Sequence, residues 1–154
     1  MIIRRAEERD IPKMLDLLLQ VNNVHNQGRP DLFKRDCRKY TASELLCMIK
    51  DDSKPIFVAD VDGVVGYAFC VVSEFKNDNN MADFKTLYID DLCVDEAKRG
   101  TNIGKSLYEY VIDYAEKIGC YNVTLNVWEC NKAAQGFYRA MGLVPQKTTM
   151  EKIL

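Results

Sequence analysis

The apolar positions of the chain change their spacing several times. Over residues 11–22, Ile11, Met14, Leu15 and Leu18 recur on one helical face, with Asn22 closing the series. Asp10 is expected to cap this helix, Pro12 is tolerated in its first turn, and Gly28-Arg29-Pro30 breaks it. "IIRRA" ahead of it reads as a short strand. A second, shorter helix is expected over 41–52, where Thr41 and Glu44 carry a capping-box signature.

After Pro55 the pattern becomes that of strands. Residues 55–75 are rich in β-branched and aromatic side chains and are interrupted at Asp62-Gly63, which predicts two antiparallel strands joined by a hairpin. A polar loop over 76–83 leads to a further strand over 84–94. The helical period returns over 102–119, with Ile103, Leu107, Tyr110, Val111, Tyr114 and Ile118 on one face and Gly119 at the end. Residues 121–129 read as a strand. Residues 131–142 read as a short helix stopped by Gly142, and 143–154 as a last strand or hairpin arm.

The predicted order is β-α-α-β-β-β-α-β-α-β. The strand–helix–strand passage over 87–128 makes its two strands parallel; the rest of the sheet is expected to be antiparallel. The expectation is one α/β (α+β) domain over 1–154, a mixed, twisted sheet of about six to seven strands with helices on both faces.

Composition adds exclusions. With 47% hydrophobic and 29% charged residues the chain is an ordinary globular protein, and a net charge of −2 gives no bulk attraction to nucleic acid. No apolar run is long enough to span a bilayer and the first residues lack a signal-peptide stretch, so a cytoplasmic protein without a membrane partner is expected. The six cysteines (37, 47, 70, 93, 120, 130) form no C-x-x-C pair, and the single histidine, His25, has no cysteine near it. Reduced, mostly buried thiols and no metal are expected.

The candidate chemistry lies at "KRGTNIGKS", Lys98–Ser106. A strand feeds this loop and a helix leaves it, so free N–H groups and the helix dipole offer a place for phosphate. Gly104-Lys105-Ser106 matches the end of a nucleotide-binding loop, but Arg99 stands where its first glycine belongs. The preceding strand is also late in a mostly antiparallel sheet, which argues against a nucleotide hydrolase.

"LCVDEAKRGTNIGKSL" together with "LNVWECNKAAQGFYRAMGLV" resembles the GNAT superfamily of acyl-CoA-dependent N-acetyltransferases. The order of elements is similar along nearly the whole chain. The family's loop starts on Arg or Gln, has Gly three positions later, and ends on Gly or Ala two positions after that. Arg99 and Gly104 match its ends; Asn102 stands at the middle glycine. Asn is the non-glycine residue that best tolerates a left-handed backbone, so the loop shape is expected to survive.

The resemblance implies acetyl-CoA as cosubstrate and no metal. It implies that the pantetheine arm lies along Leu92, Cys93 and Val94, added to a partly open sheet edge. The pyrophosphate would sit on the loop Arg99, Gly100, Thr101, Asn102, Ile103, Gly104 and Lys105, with Ser106 adding a hydroxyl and Asn131 a further contact. Tyr138 matches the general acid, and Asp90 is the first choice as base or water relay. Asp91 and Asp90 are neighbours on a strand, so at most one should face the site unless a bulge intervenes. Cys93 in an apolar strand should have a raised pKa, unsuited to a nucleophile.

The acceptor side is expected between the first two helices, where His25, Arg29, Phe33, Arg35, Arg38 and Tyr40 lie. The basic residues there suit an anionic substrate part, whereas Asp90 and Asp91 suit a cationic amine; the two hints diverge. The expected activity is acetyl transfer to a primary amine (a polyamine, an amino compound or a peptide amine) in a ternary complex. The alternative is a non-catalytic acyl-CoA-binding or sensing module. Oligomeric state stays open, a homodimer being the commonest assembly for soluble enzymes.

Overall fold

The computed structural model describes residues 1–154. Its elements are β1 (Ile2–Arg5), α1 (Ile11–Gly28), α2 (Ala42–Ile49), β2 (Ile56–Asp60), β3 (Val64–Phe75), β4 (Phe84–Val94), α3 (Ile103–Lys117), β5 (Asn122–Leu125) and α4 (Lys132–Ala140). The five strands lie side by side in chain order. The first three pairings are antiparallel and β4–β5 is parallel, the pairing that the α3 crossover dictates.

Helices cover both faces. Tyr67, Phe69, Ile56 and Val58 pack with Met14, Leu17 and Leu18 of α1 and Leu45 of α2. On the other face Phe57, Ala68, Cys70, Leu87 and Ile89 meet Tyr108, Val111 and Ala115 of α3. Gly66 permits the close seating of α3: a Cβ there would lie 2.8 Å from the Cys93 carbonyl oxygen and 3.1 Å from a Leu107 methyl. No helix is long and apolar enough to cross a membrane.

Several expectations are corrected. The sheet has five strands, not six or seven. Residues 126–129 leave it after Leu125, and 143–154 form no ladder. Pro145 lacks an N–H to give to a ladder. The tail is held instead by Glu151, which accepts two bonds from Arg29 at 2.8 and 2.9 Å.

Asp10 does not cap α1. Its carboxylate accepts from the Glu7 N–H at 2.8 Å and from both terminal nitrogens of Arg4, 2.7 and 3.0 Å, so a short 3-10 turn over Glu8–Asp10 consumes it. On α3 the buried tyrosine is Tyr108, while Tyr110 is exposed. Only Cys70 and Cys93 are buried; Cys47 and Cys130 are exposed. By contrast, the Thr41–Glu44 capping box forms as expected, with bonds of 3.2 and 2.7 Å.

Candidate active site

A single extra residue in β4 organises the site. Phe69 pairs with Asp91 and Cys70 pairs with Ile89, so Asp90 bulges out of the ladder. A one-residue insertion reverses which face each later side chain takes. Accordingly Leu87 and Ile89 pack toward α3, whereas Cys93 packs toward α1. Strict alternation would have sent Asp90 and Asp91 to opposite faces. The bulge turns both toward α1 and α2.

The two carboxylates then find different partners. Asp90 accepts from Lys39 Nζ at 2.7 Å and from the Tyr40 hydroxyl at 2.6 Å. Asp91 accepts from the Tyr67 hydroxyl at 2.8 Å. Tyr67 is fully buried, and its phenol needed a partner inside the core. Asp91 keeps some solvent contact, yet the protein around it pushes its carboxyl up to about 6. Burial is the main cause, and the Asp90 charge adds to it against the Tyr67 bond and Lys39.

Beside these carboxylates the sheet opens. The β4–β5 pairing ends at Ile89 and Leu125, while β4 continues to Val94. Leu92, Cys93 and Val94 therefore pair with β3 on one side and with nothing on the other. Cys93 turns its thiol into the core, 3.7 Å from the Leu17 carbonyl, and burial raises it to about 12.

The strand leads into the loop through Asp95, which accepts from the Ala97 N–H and from Lys13 at 2.5 Å. Gly100 has φ 79° and Asn102 φ 62°, so Asn102 adopts the left-handed conformation expected of it. The N–H groups from Gly100 through Lys105 donate to no other protein group; the next, Ser106, bonds back to the Asn102 carbonyl at 3.0 Å. Arg99 reaches the Val94 carbonyl at 3.4 Å, and Lys105 pairs with Glu109 at 3.7 Å. Ile103 is buried against Ala59, Val65 and Leu107 and anchors the helix start. A Cβ on Gly104 would meet Val94 and Phe137 at ordinary contact distances of 3.5 and 3.7 Å. Protein packing therefore does not demand a glycine there.

From α4, Phe137 packs into the α3-side core. Tyr138 is half-buried; burial first, then the Asp91 charge and the neighbouring Tyr108 and Tyr88, raise its phenol above the ordinary value. Asn131 caps α4, its side chain accepting from the Ala134 N–H at 3.1 Å.

In the segment expected to take the acceptor, the His25 and Phe33 rings meet tilted at 42° (centroids 5.0 Å apart) and Phe33 meets the Trp128 ring edge-on at 5.3 Å. Burial, with Lys39 nearby, lowers the His25 pKa. Lys39, Tyr67 and Trp128 were not foreseen. Tyr67 alone left a trace: a phenol within the apolar run "VVGYAFCVV".

The family model for the acetyltransferase (GNAT) family matches residues 18–143. Over 153 residues the chain is 26% identical to glucosamine 6-phosphate N-acetyltransferase of Arabidopsis thaliana, covering 97% of this chain and 94% of that protein. It is 26% identical over 145 residues to a probable glucosamine 6-phosphate N-acetyltransferase of Drosophila melanogaster, covering 94% of this chain and 61% of that one. Among solved structures, a mutant of the BH1408 protein from Bacillus halodurans superposes with TM-score 0.95 at 30% identity, covering 100% of this chain and 99% of that one. The Arabidopsis thaliana glucosamine-6-phosphate N-acetyltransferase superposes with TM-score 0.71 at 23% identity over 99% of this chain and 97% of that one, a likeness of fold.

Proposed function

The chain belongs to the GNAT acetyltransferase family and is an N-acetyltransferase, and from that premise we propose that it carries acetyl from acetyl-CoA to a small primary amine by direct attack in a ternary complex. One observation carries this reading: an unpaired strand edge, Leu92–Val94, runs into a row of free N–H groups, Gly100–Lys105. An extended amide chain fits such an edge, and a pyrophosphate fits such a row. Gly104, which packing leaves free to be larger, is explained by close approach of that ligand. Arg99, Lys105 and the Ser106 hydroxyl add charge and a donor beside the pyrophosphate, and Asn131 has its amide N–H groups left for the same ligand.

A bound thioester supplies an activated acyl carbon with a thiolate leaving group. The chain's own residues handle the protons. Asp91 is the proton acceptor in this reading, in preference to Asp90. Its carboxyl, raised to about 6, is ionised at neutral pH yet a better base than an ordinary aspartate. Asp90 is occupied as a hydrogen-bond and ion-pair acceptor, by Tyr40 and by a cation, which in the free chain is Lys39. Tyr138, kept protonated by its surroundings, donates to the departing thiolate. His25 and Phe33 line the acceptor side. Cys93 takes no part, its thiol being buried and facing α1.

The test is thiol release from acetyl-CoA across polyamines, amino acids, amino sugars and N-terminal peptides, with the acetylated product identified by mass. Amine-dependent release supports the reading. Tight acetyl-CoA binding with no release for any amine would favour the sensing module instead.

A further inference from the structure

We propose that the ε-ammonium of Lys39 sits in the seat of the acceptor's ammonium, and that the acceptor is a primary alkylammonium that displaces it. The inference rests on the amine-acetylation reading above and sharpens its substrate class.

Three features define the seat. Asp90, swung out by the bulge, presents both carboxylate oxygens on the α1–α2 side. Tyr40 fixes one of them through its hydroxyl, 2.6 Å, and is itself anchored in the core with its ring 5.6 Å from that of Phe69. The other oxygen holds Lys39 Nζ at 2.7 Å, and that nitrogen also lies 5.4 Å from the centre of the Tyr40 ring. Carboxylate plus aromatic face is the recognition chemistry of an alkylammonium.

The partners differ in freedom. The Asp90 side chain is 17% exposed, that of Lys39 46%. Lys39 belongs to the irregular segment between α1 and α2, and its nitrogen makes no second hydrogen bond. It is the member able to leave. The groups around the seat suit a cation: Asp91 and Tyr67 from the sheet, Tyr88 from β4, and His25 from α1, whose pKa is lowered. Of the basic residues on this segment, Arg29 is already bound to both Asp31 and Glu151, and Arg38 donates to the Leu15 carbonyl. An amine carrying a phosphate finds less here than a diamine, a polyamine or a lysine-like side chain.

The probe is n-butylamine, which reproduces the lysine side chain without its backbone, titrated into the full chain saturated with CoA and followed by NMR shifts. Lys39→Met keeps the length and removes the charge. It should bind n-butylamine about fivefold more tightly than wild type, the scale of one part-exposed ion pair. Lys39→Arg should stay near wild type, and Asp90→Asn should lose binding. Unchanged or weaker binding in Lys39→Met would overturn the proposal, as would glucosamine 6-phosphate binding to wild type and lost in Lys39→Met. Binding is read without turnover. Absence of acetyl transfer would therefore count against the enzymatic reading alone, and unaltered butylamine affinity against this inference alone.

Discussion

The hydroxyl of Tyr67 donates a 2.8 Å hydrogen bond to Asp91, joining a fully buried strand residue to a carboxylate at the mouth of the site. The bond does not offset the burial of Asp91, whose carboxyl still rises to about 6. The folded chain therefore holds this proton at pH values where the unfolded chain has released it. Stability from this group is present at low pH and is lost as pH rises toward about 6. Asp91→Asn, which can still accept from Tyr67, should stabilise the protein at pH 8 by on the order of 1–3 kcal/mol. Urea unfolding at pH 8 and near pH 4 checks this: the gain should shrink at the lower pH.

The same carboxylate must be ionised to accept a proton. The ratio kcat/KM should therefore fall about tenfold per pH unit below about 6 and level off above it. Asp91→Asn should lose this limb along with most activity, while Asp90→Asn should keep it. A limb that vanishes with Asp90 instead would return the role of base to that residue.

Tyr138→Phe removes only an oxygen. Turnover should drop about 100-fold or more, the usual scale for a general acid, with acetyl-CoA affinity nearly intact by calorimetry. Unchanged turnover would remove Tyr138 from the proton path.

Asn102 holds φ 62° at the start of α3. Asn102→Gly should preserve the loop and acetyl-CoA affinity. Asn102→Val forces a β-branched side chain into the left-handed region, at a cost of roughly 1–2 kcal/mol or more. Either the melting temperature or the acetyl-CoA Kd should register it.

Gly66→Ala tests how the sheet seats α3. The new Cβ would face a backbone oxygen at 2.8 Å, which cannot move aside as a side chain can. A loss of about 1–3 kcal/mol is expected in thermal or urea unfolding.

Most of the fold was legible because its elements announce themselves locally. The α1 face, the α3 face apart from its tyrosine, the Thr41–Glu44 cap, the Asp62-Gly63 hairpin and the left-handed Asn102 depend on neighbours in sequence. What was hidden depends on distant partners. Asp10 looked like a helix cap, but Arg4 claims its carboxylate. The tail 143–154 looked like a strand, but it is held by the Arg29–Glu151 pair and forms no ladder. The bulge at Asp90 exists only in the register between β3 and β4, and no periodicity within "LYIDDLCV" reports it. That one insertion puts Asp90 and Asp91 on the same face. It also leaves Lys39, remote in sequence, bonded to Asp90.

The most direct measurement is a crystal structure with acetyl-CoA bound. It should show the pantetheine amides bonded to the backbone of Leu92–Val94. The pyrophosphate should lie on the N–H groups of Gly100–Lys105, and the thioester between Asp91 and the Tyr138 hydroxyl. A thioester far from both side chains, or a pyrophosphate bound away from that loop, would contradict the account.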